Sequence, residues 1–226
     1  RNQLFAENVL TNKSQKDKVN IYFARANVLH QEKNYEESAK YLLLANQIKL
    51  DLKPSTSDIL INKSKVLFKE SNEIKTNHKE FKHSPQSIFI VGMPRSGSTL
   101  LESILGMNDN VDDLGEINIL EEVFLDRKRV NQEITLAELY WQKLQAINKQ
   151  SNITTNKWLY NYQYAGIIAK QIPNAKIIHC YRNPLDNILS IYRAHFENGN
   201  EYSSSLIDCA RVYLNQEEIM AEYKTR

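Results

Sequence analysis

The stretch from residue 87 to residue 105, SIFIVGMPRSGSTLLESIL, decides the fold of this chain. Its apolar run Ile88–Val91 does not alternate with polar residues, which is typical of a strand buried in a parallel sheet. Residues 92–97 contain two glycines and a proline and are predicted to form a loop. A helix is predicted to follow from Thr99 to Leu105. The order strand, loop, helix indicates one repeating unit of an α/β domain.

The same order returns in the C-terminal half of the chain. Residues 175–180 form a second apolar run, Asn183 and Pro184 end it, and residues 185–196 have helical character. We therefore predict an α/β domain over residues 87–226, with a P-loop-like parallel sheet flanked by helices. Ligands of such sheets bind at the carboxyl ends of the strands, so the loops after both runs are candidate sites.

The N-terminal region, residues 1–80, is predicted to be all-α. Residues 19–50 carry apolar side chains at helical spacing with a break near Lys33 and Asn34, which indicates a helical hairpin. An amphipathic helix is predicted for residues 58–80. The hairpin resembles one tetratricopeptide repeat in its packing positions, which are Tyr22, Ala26, Leu29, Tyr35, Leu42 and Ala45.

Two residues depart from that repeat, because Arg25 stands where a leucine is usual and Ser38 where an alanine is usual. A helical hairpin of no particular family is therefore the alternative. By analogy with repeat proteins, we expect this helical region to offer a contact surface for a protein partner.

Composition narrows the class of protein. A chain of 226 residues can form one large domain or two smaller ones, and its net charge of +2 argues against nucleic acid as the main partner. No apolar run approaches about eighteen residues, so we predict no membrane span. The hydrophobic fraction of 42% and the charged fraction of 25% are typical of a soluble protein, and two cysteines without disulfide or metal spacing favour a reducing, cytoplasmic compartment. The chain starts at Arg1 and its predicted last helix has no stop signal, so we expect a trimmed start and a C-terminal truncation.

The loop after the first strand has the features of an anion site. Gly92 and Gly97 have P-loop spacing and let the backbone curl until several N–H groups face one point. The following helix adds its free N–H groups, and hydroxyl donors come from Ser96, Ser98 and Thr99. The alternative is a glycine-containing turn that binds nothing.

The positively charged side chain of this loop stands at a different position from that of a nucleoside triphosphatase. A nucleoside triphosphatase has lysine where this chain has Ser98, whereas Arg95 lies inside the loop. A planar guanidinium grips two oxygens of a phosphate or sulfate at once. No acidic run follows the second strand to hold magnesium, so the pattern favours a 5′-phosphosulfate over a triphosphate.

The loop after the second strand offers a further anion contact. Arg182 stands at the end of the strand, and Ser190 lies on the predicted helix that follows. Together they are placed to hold one more phosphate. The alternatives are that Arg182 pairs with Asp186 and that Ser190 only packs against a helix.

The two loops together resemble those of the sulfotransferase superfamily, and most closely its tyrosylprotein sulfotransferase-like branch, which includes bacterial members with tetratricopeptide repeats. The resemblance covers residues 87–226 and, loosely, residues 19–50. It implies 3′-phosphoadenosine 5′-phosphosulfate as the sulfuryl donor, adenosine 3′,5′-bisphosphate as the product, and no metal.

The resemblance also implies roles for single residues. Arg95 matches the arginine that holds the phosphosulfate, and Arg182 with Ser190 match the pair that grips the 3′-phosphate. Glu116 matches the catalytic base, and Lys157 matches a lysine that contacts the transferring group. Ala194 departs from the branch, which has a further arginine there.

The sequence thus predicts sulfuryl transfer to a hydroxyl or amine acceptor. A peptide, a glycan and a small alcohol all remain open as the acceptor. The alternatives are a P-loop kinase or nucleoside triphosphatase, and a catalytically inactive helical-repeat adaptor. His179, in the second strand, is expected to be packed rather than catalytic.

Overall fold

The structure is a computed structural model that describes residues 1–77, 85–130, 134–147, 151–196 and 198–225. Its helices are α1 (Gln15–Gln31), α2 (Tyr35–Leu52), α3 (Ser57–Glu73), α4 (Ser98–Leu105), α5 (Ile119–Val130), α6 (Leu136–Ala146), α7 (Ala165–Gln171), α8 (Pro184–Tyr192) and α9 (Leu206–Lys224). Its strands are β1 (Gln86–Gly92), β2 (Val111–Asp113), β3 (Ile153–Asn156) and β4 (Lys176–Cys180). Short 3₁₀ helices lie at Glu7–Leu10, Leu159–Tyr164 and Glu201–Ser204.

The chain forms two compact units. The first comprises residues 1–60 and 184–213, and the second comprises residues 61–183 and 214–226. Each unit is therefore discontinuous in sequence. The domains predicted from the sequence, residues 1–80 and 87–226, stay a prediction.

The predicted helical hairpin in the first unit is confirmed. The Ser14 side chain caps α1 by accepting from the backbone N–H of Asp17, and Asn34 caps α2 by accepting from Glu37. Between the helices, Lys33 adopts a left-handed φ of 62°, which lets the chain reverse. The facing apolar side chains Val19, Phe23, Ala26, Leu42 and Ala45 form one cluster with Tyr192 of α8.

Arg25 and Ser38, the two residues that depart from the tetratricopeptide pattern, are buried and hydrogen-bonded. The Arg25 guanidinium donates to the backbone carbonyls of Leu4 at 2.9 Å and Ala6 at 3.4 Å. The Ser38 hydroxyl donates to the backbone carbonyl of Ala26 at 2.8 Å, which ties α2 to α1. Polar bonds to backbone thus replace the apolar contacts of the repeat, and membership of that repeat family stays a prediction.

The second unit is built on a four-stranded, all-parallel sheet with the order β2-β3-β1-β4. This confirms the predicted α/β architecture. Strand β1 lies between two neighbours and is buried at Phe89, Ile90 and Val91, as its continuous apolar run indicated. The core around it is formed by residues of α5, α6, α7 and α9.

Two predicted helices end earlier than expected. Helix α8 ends at Tyr192 rather than at residue 196, because the backbone N–H of Phe196 bonds Ala194 and its carbonyl accepts from Lys49 at 2.9 Å. Helix α3 ends at Glu73, and the backbone N–H of Asn77 instead donates to Lys170 at 2.7 Å. Residues 78–80 of that prediction lie outside the described residues.

In the part of the chain that the structure describes, no helix has the length and apolar composition needed to cross a membrane.

Candidate functional site

The loop after β1 begins with a glycine that no other residue can replace without movement. Gly92 has φ of 145°, and a Cβ atom there would lie 2.3 Å from the carbonyl oxygen of Cys180 on β4. Arg95 and Gly97 then adopt left-handed φ values of 67° and 99°. These reversals curl the backbone of residues 93–97 at the carboxyl edge of the sheet, as the glycine spacing predicted.

The loop leads directly into α4, and this helix start suits an anion. Gly97 is the N-cap and gives no side-chain cap, so the first N–H groups of α4 lack the partner that a capping side chain supplies. The Ser96 hydroxyl oxygen is buried and has no hydrogen-bond partner among the described residues. A buried, unsatisfied hydroxyl beside uncapped N–H groups fits a phosphate or sulfate oxygen.

A buried lysine lies beside this loop. Lys157 follows the last residue of β3, and its side chain is 6% exposed. Its ammonium donates to the Thr99 hydroxyl at 3.2 Å and to the Glu116 carboxylate at 2.8 Å. The carboxylate of Glu102 lies 3.6 Å away on another side. One cation therefore joins the phosphate loop to two carboxylates.

The segment that carries Glu116 is attached to β3 by backbone bonds. Leu114 donates to the carbonyl of Thr155 at 2.9 Å, and Lys157 donates to the carbonyl of Gly115 at 3.0 Å. Gly115 adopts φ of 64°, which turns the chain so that Glu116 lies beside Lys157. The Glu116 side chain is 62% exposed, so its carboxylate contacts the buried ammonium and remains accessible to solvent.

Glu102 belongs to this cluster, although the sequence analysis did not single it out. It is buried on α4 and accepts a hydrogen bond from the Thr155 hydroxyl at 3.3 Å. Burial raises the pKa of this carboxyl, and the nearby Lys157 opposes that rise. Its spacing in the sequence could have indicated it, because a charged residue three positions after Thr99 lies on the same face of a helix as Thr99.

The second anion loop meets the first through Arg182. Its guanidinium donates from Nη1 to the backbone carbonyl of Arg95 at 3.3 Å. Both arginines are exposed. Ser190 lies half-buried on α8, in the first unit, and its pairing with Arg182 stays a prediction.

The site residues of the second unit therefore gather at one edge of the sheet. Arg95, Ser96, Gly97, Ser98 and Thr99 follow β1, Lys157 follows β3 and Arg182 follows β4. Parallel strands bring these ends together, which is why such edges bind ligands. No group of three or more His, Cys, Asp or Glu side chains that could hold a metal ion occurs among the described residues.

His179 is packed as expected. Its side chain is 5% exposed and its Nε2 atom lies 2.6 Å from the Gln216 amide and 3.3 Å from the Glu217 carboxylate, both on α9. Burial lowers the pKa of this imidazole, and Glu217 opposes the decrease. The histidine therefore joins β4 to α9 and lies on the core side of the strand end.

Comparison with known proteins agrees with this geometry. A sequence model described as "Sulfotransferase family" matches residues 85–225, which include every strand of the sheet and both anion loops. An uncharacterized protein of Aquifex aeolicus (strain VF5) is 28% identical over 198 residues, which cover 77% of this chain and 26% of that protein. The chain thus spans about a quarter of the length of that relative. The match to the family model covers more than half of the chain, and the protein belongs to the sulfotransferase family.

Proposed function

We propose that this protein transfers a sulfuryl group from 3′-phosphoadenosine 5′-phosphosulfate to a hydroxyl or amine acceptor, with Glu116 as the base and no metal. The supporting observation is the Lys157 ammonium, which contacts both Thr99 of the phosphate loop and the Glu116 carboxylate. This places a positive charge between the proposed donor site and the proposed base. Membership of the sulfotransferase family supports the reaction class.

The proposed reaction is an in-line displacement at sulfur. The acceptor oxygen or nitrogen forms a bond to sulfur while the bond from sulfur to the 5′-phosphate oxygen breaks. The acceptor proton passes to Glu116, a role worth about 10²–10⁴ in rate. Glu116 suits this role because its side chain is largely exposed and backbone bonds attach the two preceding residues, Leu114 and Gly115, to the β3 segment.

Negative charge accumulates on the leaving phosphate in this reaction. Lys157, Arg95 and the N–H groups at the start of α4 are the donors that would stabilise it. Each preorganised donor of this kind is worth about 10²–10³ in rate. The 3′-phosphate is assigned to Arg182 and Ser190, and the hydroxyls of Ser96, Ser98 and Thr99 complete the donor site.

For the acceptor, the proposal specifies only the chemical class of the reacting group. Any molecule with a reactive hydroxyl or amine suits a carboxylate base, so peptides, glycans and small alcohols remain candidates. A protein partner on the helical region and a cytoplasmic location stay predictions. The activity of the complete protein is likewise a proposal.

The test is calorimetric titration with adenosine 3′,5′-bisphosphate in the absence of metal. We expect binding by the wild-type chain, with at least a tenfold loss in Arg95→Ala and in Arg182→Ala because each removes a bidentate donor. Arg129→Ala is the matched control, since Arg129 is exposed on α5 and lies outside the site. Equal affinity in all four proteins would contradict the assignment, and binding of magnesium-ATP instead would favour a kinase or nucleoside triphosphatase.

A further inference from the structure

A cavity of about 230 Å³ lies in the first compact unit, and its lining includes none of the residues of the proposed reaction. Its walls come from α1, α2 and residues 195–196 and 198–204. At about 30 Å³ per water molecule, it has room for about eight waters. An engineered apolar cavity of about 150 Å³ is known to hold benzene, so this one can take a ring with a small head group.

The lining is positively charged. Lys16, Lys49 and Lys53 contribute three ammonium groups, and Glu201 is the acidic residue that faces them. Glu201 accepts hydrogen bonds from the backbone N–H of Gly199 at 3.1 Å and from the Thr56 hydroxyl at 3.4 Å. Within the described ranges, no ion pair of 4.0 Å or less joins these lysines to a carboxylate.

The lysines keep spare hydrogen-bond donors. Lys49 donates to the Phe196 carbonyl at 2.9 Å, and Lys53 donates to the Asn198 side-chain oxygen at 2.5 Å. An ammonium has three N–H donors, so each has two left for another acceptor. Burial lowers the pKa of Lys49, which means that the site holds this charge at a cost that a bound anion would reduce.

A second observation points to a ligand. Ser204 also lines the cavity, and its side chain is 4% exposed. Its hydroxyl oxygen has no hydrogen-bond partner among the residues that the structure describes. A buried hydroxyl without a partner is destabilising, and an anionic oxygen in the cavity would accept a hydrogen bond from it.

We propose that this cavity binds a small organic anion, whose carboxylate, sulfate or phosphate head contacts Lys49, Lys53 and Ser204. The apolar wall formed by Val19, Leu52 and Phe196 would hold a short apolar body, such as one aromatic ring. The site lies in the first unit and needs neither Arg95 nor Lys157. The proposed binding therefore uses none of the residues assigned to sulfuryl transfer.

The experiment is calorimetry on the full chain with phenyl sulfate, phenyl phosphate and benzoate as probes and phenol as the neutral control. Adenosine 3′,5′-bisphosphate is added in excess so that a nucleotide site is filled. We expect at least one anion to bind about tenfold more tightly than phenol, because phenol lacks the charge that the lysines contact. The preferred head group identifies which of the three anion types the site takes.

Variants assign the binding to the cavity. Lys53→Met and Ser204→Ala should each weaken the preferred anion about fivefold to tenfold, whereas Lys65→Met on the exposed side of α3 and Arg95→Ala should leave it unchanged. Ser204→Ala also removes an unsatisfied hydroxyl, so its thermal stability should stay equal or rise, which shows that the variant folds. The proposal fails if no probe binds, if phenol binds as well as the anions, or if binding depends on Arg95 and not on Lys53.

Discussion

Lys157 is the residue on which the geometry of the site depends most. Its buried ammonium contacts Glu116 and Thr99 and lies near Glu102, so it holds three segments of the second unit at one point. Buried charges are tolerated only when partners satisfy them, and removing one partner leaves the others uncompensated. Stability and activity should therefore respond together at this position.

A double-variant cycle measures that dependence. Lys157→Met should lower the free energy of unfolding by about 3–5 kcal/mol, because it leaves the buried Glu102 carboxylate without its cation. Adding Glu102→Met should recover much of the loss, since two apolar side chains then face each other. Urea unfolding of the four proteins checks this. If the stability losses of the two single variants simply add in the double variant, the prediction is contradicted.

A substitution at Glu116 should separate the effect on nucleotide binding from the effect on the rate of transfer. Glu116→Gln should lower kcat by about 10²–10⁴, because the amide cannot accept the acceptor's proton, while affinity for adenosine 3′,5′-bisphosphate stays unchanged. Glu122→Gln on α5 is the control, since this carboxylate is exposed and lies on a different element. Transfer of labelled sulfate gives the rate. A Glu116→Gln variant with normal turnover would remove the base assignment.

At the scale of single elements, the end of β1 restricts the type of residue most strongly. Gly92→Ala should destabilise the protein by at least about 1–3 kcal/mol, because its Cβ would clash with the Cys180 carbonyl in backbone that is hydrogen-bonded to β4. Gly199→Ala is the matched control, because φ is 83° there but nothing lies within 4 Å of the new Cβ. Thermal unfolding compares the two variants. Equal losses would mean that left-handed strain alone explains the effect.

The elements also differ in how far sequence predicted them. The apolar runs of β1 and β4 and the helical hairpin were found, because burial on one face or both leaves a clear hydrophobic pattern. Strand β3 is buried through Thr154, Thr155 and Asn156, and these polar residues gave no such signal. Strand β2 has only three residues and is half-buried, so it has no periodicity to detect.

The same two strands explain what sequence could not show about the site. The resemblance supplied Glu116 and Lys157 as separate residues, 41 positions apart. Their 2.8 Å contact depends on the parallel pairing of β2 with β3, which only the fold provides. Glu102 was missed for a related reason, because its partner Thr155 also lies on β3.

At the scale of the whole molecule, His179 should make stability depend on pH. Burial holds the pKa of the folded imidazole below its ordinary value of about 6.5, so the unfolded chain binds a proton first as the pH falls. The free energy of unfolding should therefore decrease below about pH 6.5, by at most about 1.4 kcal/mol per pH unit from this group. Glu217, Lys224 and Gln216 are the polar groups around it.

His179→Gln tests this prediction. The variant should lose that part of the pH dependence, and urea unfolding between pH 5 and pH 8 would detect the change. Glutamine retains a hydrogen-bonding side chain that can reach Gln216 on α9, so the variant is expected to fold. Identical pH slopes in the two proteins would show that the imidazole does not govern this range.

The ion pair between Glu116 and Lys157 has a consequence for the proposed sulfuryl transfer. Lys157 contacts one of the two Glu116 carboxylate oxygens, at 2.8 Å, while the Glu116 side chain is 62% exposed to solvent. In the proposed reaction, water would therefore have access to the base while a donor is bound without its acceptor, and the acceptor itself would have to exclude that water.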